Sequence, residues 1–338
     1  MRQSGNRCGL LPVVLCILLF LFILSGCGLF VAKLPSGQVP HPAPENRFVT
    51  IDGVRFHYES YPGTGKTIVL LHGFGSSTYT WKEVIPQLRM DGYRVLALDM
   101  KGFGWSDKPA GADYSPKALM EEVNAWMERM GLEGVTFVGN SLGGAIGLML
   151  AMDHPERMER LVLIDSGGYP ITKPLIIQIG ALPLIRDVAK LFFGRWLIRA
   201  NMNRVFFDRS RVTPERVAAY FDRMRTTGAL EAQMALSAAI DEQFAAGYIQ
   251  RIPQIRIPTL ILWGENDAWI PLANGRRFHG EIPDSRLVVI PRCGHVPQEE
   301  APKIVSRSLS AFAADRPLPQ PLEILVNDAS LPSPRKAP

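Results

Sequence analysis

Cysteine is scarce. Of four in 338 residues, Cys8, Cys16 and Cys27 fall within the first 27, which leaves Cys293 alone in the body of the chain. No disulfide framework can staple such a fold. Histidine is also sparse, with six. The chain has no H-E-x-x-H, no cysteine–histidine cluster and no glycine-rich phosphate loop, so no metal and no cofactor is expected. Charged residues amount to 20% and form no arginine-rich motif or aromatic–basic stripe, which argues against nucleic acid as a partner. The formal charge is +5, and it falls to +3 once Arg2 and Arg7 are set aside. No internal repeat is visible.

A hydrophobic content of 47% is that of an ordinary globular protein. The N-terminus is different. Arg2 and Arg7 precede an apolar core from Leu10 to Leu24 that is interrupted by Pro12 and is shorter than the ~20 residues needed to span a bilayer. This is the pattern of a secretory signal, expected over residues 1–26. Leu24-Ser25-Gly26-Cys27 resembles the lipobox of bacterial lipoproteins. The resemblance implies that Cys27 is lipidated, with palmitate among the acyl groups, and becomes the mature first residue. Gly28 is not the aspartate associated with inner-membrane retention, so placement at the outer membrane of a bacterial envelope is expected. Residues 27–46, rich in proline from Lys33 onward, read as a semi-extended tether.

Strands are expected at 47–51 and 54–60, joined at Asp52-Gly53, and at 67–71, 95–98, 136–138, 161–164, 259–262 and 287–290. Helical patterns cover 80–90, 115–130, 142–153 and 274–280. Apolar strands alternating with helices predict an α/β fold with a mostly parallel sheet flanked by helices. Between residues 168 and 250 the alternation stops and helical patterns follow one another, which predicts a helical cap inserted before the last strands. It divides the core into 47–167 and 251–315. Its first stretch, 174–198, is apolar with scattered Lys and Arg, and reads as packing on the core with its charges in solvent, ahead of a membrane-facing lid. From residue 316 prolines predominate and a loose tail is expected.

The chemistry gathers around Thr136-Phe-Val-Gly-Asn-Ser-Leu-Gly-Gly144, where a strand runs through G-x-S-x-G into a small-residue helix start. A serine on so tight a turn takes strained backbone angles, and the glycines on either side let neighbouring chain pass. Ser141 is therefore the candidate nucleophile. A serine needs a base, and the base needs an orienting acid. His295, in the loop after the last strand, is the candidate base. His41 lies in the tether, His57 in an early strand, His154 at a helix end and His279 in a late helix, and His72 precedes a glycine turn. Asp267 is the candidate acid, with Glu265 and Asp165 as rivals. The order Ser141, Asp267, His295 matches the α/β-hydrolase triad. Leu71-His72-Gly73-Phe74-Gly75 frees backbone N–H groups at a strand end, so Phe74 and Leu142 are the expected oxyanion donors.

Five blocks in order carry a resemblance to the α/β-hydrolase superfamily over about residues 47–314: His72 to Gly75, Asp99 to Asp107, Gly139 to Gly144, Gly264 to Pro271 and Gly294-His295. The second block resembles the branch holding meta-cleavage-product hydrolases, epoxide hydrolases, haloalkane dehalogenases and small esterases. The epoxide hydrolases and dehalogenases carry an aspartate where this chain has Ser141, which disfavours both activities and leaves Asp99 as a loop-fixing residue. Within that branch a carboxylic-ester hydrolase of the carboxylesterase or lipase type is expected, because the anchor puts the enzyme beside lipids and the cap is apolar, with a carbon–carbon bond hydrolase as the alternative. A non-catalytic binding protein of the same fold is the further one.

Overall fold

The computed structural model describes residues 32–40, 42–170, 193–243, 247–319 and 323–327. The expected leader with Cys27, and most of the apolar stretch 174–198, lie outside them. Nine strands form one sheet: β1 (Asn46–Ile51), β2 (Val54–Tyr61), β3 (Thr67–Leu71), β4 (Arg94–Leu98), β5 (Val135–Asn140), β6 (Met158–Ile164), β7 (Thr259–Gly264), β8 (Ser285–Ile290) and β9 (Glu323–Asn327). Their spatial order is β1-β2-β4-β3-β5-β6-β7-β8-β9. The six strands from β4 to β8 run parallel, while β1, β2 and β9 pair antiparallel at the two edges.

The period of two along each strand divides the core between the faces of the sheet. Val69, Leu71, Phe137, Leu161, Leu163, Ile261 and Trp263 join one buried cluster, and their neighbours Ile68, Leu70, Val138, Val162, Ile164, Leu260 and Leu262 join another. Helices cover both. They are α1 (Ile85–Met90), α2 (Pro116–Arg129), α3 (Leu142–Asp153), the cap helices α4 (Arg195–Val205), α5 (Pro214–Met224), α6 (Ala229–Gln243) and α7 (Tyr248–Arg251), then α8 (Leu272–Glu281), α9 (Pro297–Glu300) and α10 (Pro302–Ala313). The four cap helices all lie between β6 and β7 in sequence, as the broken alternation predicts. Local signals start several of them: Ser115 and Thr213 accept from the third amide ahead, and Pro116 and Pro214 each fill a first helical position. Among the described residues no helix is long and apolar enough to cross a membrane.

Three expectations need correction. The helix predicted over 80–90 is a 3₁₀ turn, Thr78–Trp81, followed by α1, because Pro86 fits only the first turn of a helix and forces a fresh start. The predicted loose tail contains β9, which pairs with β8 over five positions. The predicted tether is docked over part of its length. Leu34 bridges Thr226, Gly37 donates to Trp105 O, and the Arg225 guanidinium donates to Ala32 O at 2.8 Å.

Candidate active site

Strand β5 delivers the elbow. Ser141 has φ 54° and ψ −114°, a left-handed strain that L-residues seldom hold. Three bonds of 3.0 Å pin it: Ser141 N donates to Ile164 O, and Ser141 O accepts from Ala145 N and Gly167 N. The flanking glycines are dictated by contact. A Cβ on Gly139 would sit 2.2 Å from Gly143 O, and one on Gly143 would sit 2.3 Å from Leu71 O. Ser141 caps α3, whose first N–H groups have no partner within the helix. Leu142 is the first of these. Among the described residues, the N–H groups of Leu142 and Phe74 find no acceptor. Gly73 brings the Phe74 turn close, since its Cβ would lie 3.0 Å from both Ser141 Cβ and Asn140 Oδ1.

The loops after β7 and β8 bring Asp267 to His295. Asp267 Oδ2 lies 2.7 Å from His295 Nδ1 in a buried pair. Its Oδ1 accepts from Trp269 N and Ile270 N at 2.7 and 3.0 Å. An imidazole that donates from Nδ1 keeps Nε2 free as the base atom. Burial works against the Asp267 charge, but His295 and these donors hold its carboxyl below the ordinary value. Ser141 and His295 line the same cavity, with Phe74 between the oxyanion turn and the cap. Gly264 and Gly294 let the two loops cross: a Cβ on Gly264 would meet Gly294 O at 2.0 Å.

Of the two rival acids, Glu265 is exposed and stands apart from His295. Asp165 is close. It is fully buried at φ 43° and accepts from Gly264 N at 3.0 Å. Burial first, then the charge of Asp267, raises its carboxyl well above the ordinary range, so it keeps its proton and donates it to Asp267. Asp165, Asp267 and His295 each place a ligand-type atom within 4.8 Å of the others, the one such group among the described residues. Those atoms are already engaged with one another, an arrangement that serves a hydrogen-bonded relay rather than a metal cage.

His72 and His57 have structural partners. His72 Nδ1 meets Gly73 O at 2.8 Å and its Nε2 accepts from Met100 N at 3.2 Å. Burial lowers its pKa and keeps the ring neutral. His57 Nδ1 lies 2.7 Å from Asp99, which also accepts from Thr78 N and Trp105 N and so ties the two loops together. Cys293 is buried, and its thiol is pushed up by that burial.

Three residues that sequence reasoning left without a role complete the site. Asn140 Nδ2 donates to Ile164 O and to His295 O, at 3.1 and 3.2 Å, and so holds the histidine loop against the elbow. The Glu300 carboxylate accepts from Gly294 N, Phe207 N and Asp208 N, which binds the cap to that loop, and His295 N donates to Val205 O at 3.0 Å. Glu299 pairs with Arg216 at 2.9 Å and accepts from Tyr220, whose hydroxyl also meets Ser76 at 3.2 Å. Tyr220 lies 79 residues from Glu299, Phe207 lies 93 from Glu300 and His295 lies 155 from Asn140, so no local pattern announces them.

The cavity measures about 210 Å³. Cap residues Leu197, Ile198, Met202, Met224 and Met234 form much of its wall, and Asn201, Gln233 and Tyr220 add neutral polar groups. Among the described residues no lysine or arginine lines it.

Residues 66–302 match the alpha/beta hydrolase fold family. An uncharacterized hydrolase, YugF, from Bacillus subtilis is 32% identical over 276 residues, covering 80% of this chain and 98% of that protein. The 2-hydroxymuconate semialdehyde hydrolase of Pseudomonas sp. (strain CF600) is 31% identical, over 78% of this chain and 92% of its own. Among solved structures, a membrane phospholipase A described as a bacterial virulence factor superposes with a TM-score of 0.65 at 25% identity, over 90% of this chain and 91% of that one.

Proposed function

From a chain that belongs to the alpha/beta hydrolase fold family, we propose a serine hydrolase that cleaves carboxylic esters with apolar acyl groups through an acyl-enzyme. Ser141 Oγ attacks the ester carbonyl while His295 Nε2 takes its proton. Asp267 steadies the imidazolium, and the N–H groups of Phe74 and Leu142 receive the oxyanion. His295 then protonates the departing alkoxide. Water enters, gives its proton to His295, and releases the acid as the Ser141 hydroxyl re-forms. No metal or organic cofactor takes part.

The observation that carries this reading is the apolar wall that Leu197, Ile198, Met202, Met224 and Met234 give the cavity, with no lysine or arginine among the described residues that line it. A neutral acyl chain gains by entering such a cavity, at about 25 cal/mol per Å² of apolar surface. A carboxylate buried there without a partner meets a large desolvation penalty. The second reading is hydrolysis of a carbon–carbon bond in a dienoate ring-fission product, and it is supported by the likeness to the 2-hydroxymuconate semialdehyde hydrolase. Such a substrate carries a carboxylate, for which the described lining offers no lysine or arginine. Purified protein is expected to turn over p-nitrophenyl octanoate with kcat/KM about 10²-fold above that for a dienoate ring-fission product. The reverse ranking would establish the carbon–carbon reading.

The same proposal places the enzyme in a bacterial cell envelope, held by acyl chains on Cys27, with the outer membrane as its site. An acyl anchor holds a protein on a bilayer rather than across it.

A further inference from the structure

Helix α4 has two faces with different tasks. Leu197, Ile198, Asn201, Met202 and Val205 line the cavity. On the opposite side Trp196, Arg199, Ala200 and Arg204 are exposed at helical spacing, and Phe207 continues the stripe just beyond the helix. Trp196 is 55% exposed and Phe207 45%, and with Met90 they are the exposed large hydrophobic residues among those described. Residues 195–211 contain five arginines and a single acidic residue, Asp208. Aromatic side chains flanked by arginine mark a helix that lies in a membrane interface.

A second observation says where the bilayer would be. Ala32 O accepts from Arg225, the Arg225 guanidinium lies over the Phe221 ring, and so does that of Arg195, the first residue of α4. Ala32 therefore meets the body beside the Phe221 ring that Arg195, the neighbour of Trp196, also covers. Ala32 follows Cys27 by five positions, which span at most about 18 Å when extended.

We propose that the outer face of α4 docks on the surface of an anionic lipid bilayer, with Trp196 and Phe207 entering the interface and Arg199 and Arg204 meeting lipid phosphates. This deepens the anchored placement proposed above and rests on it. The helix that seals the cavity would then have lipid on its other side, so an acyl chain leaving the bilayer would have one helix to pass. Ester turnover is not needed to test it.

The test uses the full chain with vesicles of phosphatidylcholine and phosphatidylglycerol whose acyl chains are brominated, which quench tryptophan within the interface. Of the six tryptophans, Trp81, Trp105, Trp126 and Trp263 are buried and Trp269 is partly so, which leaves Trp196 as the reporter. Wild type is expected to be quenched, and Trp196→Phe to lose most of that quenching. Arg199→Gln with Arg204→Gln should weaken it several-fold, as should pure phosphatidylcholine vesicles. A chain that floats with vesicles and shows no quenching refutes the docking and leaves the anchor standing. A chain that does not float refutes both. Quenching that Trp196→Phe leaves intact also overturns the docking. So does quenching that disappears as protein concentration rises, which would assign the face to a second copy of the chain.

Discussion

At the scale of single residues, two aspartates with the same side chain take opposite protonation states within a few ångströms. Asp267 has four donors around it, counting the proton of Asp165, and remains an anion. Asp165 has one backbone donor and complete burial, and remains an acid. The difference has a consequence for stability. A carboxyl whose folded pKa is raised above its unfolded value contributes stability that is fully present below the unfolded value and is lost as pH rises through the folded one. Asp165→Asn keeps a donor toward Asp267, tolerates the left-handed backbone and does not titrate. Its melting temperature is expected to approach that of wild type near about pH 4 and to rise above it progressively toward about pH 8. Thermal melts across that range would check it, and a gap independent of pH would show that Asp165 is ionised in the folded chain.

At the scale of elements, the cap is fastened by buried charge. Arg216 of α5 is 4% exposed and lies between Glu83 and Glu299 of the core, and Glu299 also accepts from Thr80 at 2.6 Å. Removing one partner of a buried pair leaves the other charge without compensation. Arg216→Met is therefore expected to lose about 3 kcal/mol in urea unfolding and to raise KM more than it lowers kcat, because it loosens a wall rather than the reacting groups. Arg216→Met combined with Glu299→Gln should recover part of the loss. An unchanged midpoint would mean that the pair is solvated. This is also the scale at which the sequence became hard to read. Strands β3 to β8 were legible because each is a short apolar run bounded by turn residues. Asp267 and His295 were legible because each sits in a glycine-marked loop at the same edge. Strand β9 was not, since a five-residue edge strand between prolines has no period of its own and forms only against β8. Nor were Asn140, Glu299 and Glu300, whose importance comes from partners distant in sequence.

At the scale of the whole molecule, one sheet edge collects every group the proposed chemistry needs. Strand β5 ends at Asn140 before Ser141, β7 at Gly264 before Asp267, β8 at Ile290 before His295 and β3 at Leu71 before Phe74. Parallel strands all end on the same side, so residues spread over more than 200 positions, from Phe74 to His295, meet at one edge. The docked segment at 32–39 belongs to this scale too. Proline-rich composition reads as free linker, yet its backbone bonds to Trp105 and Thr227 fix it along the cap. The central claim is that Ser141 is a nucleophile activated by His295 and Asp267, and mass spectrometry after exposure to a fluorophosphonate tests it most directly. Wild type should carry one adduct, on Ser141. Ser141→Ala should carry none, and His295→Ala should label about 10³-fold more slowly or worse. A folded wild-type chain that stays unlabelled, or is labelled at another residue, would contradict the account.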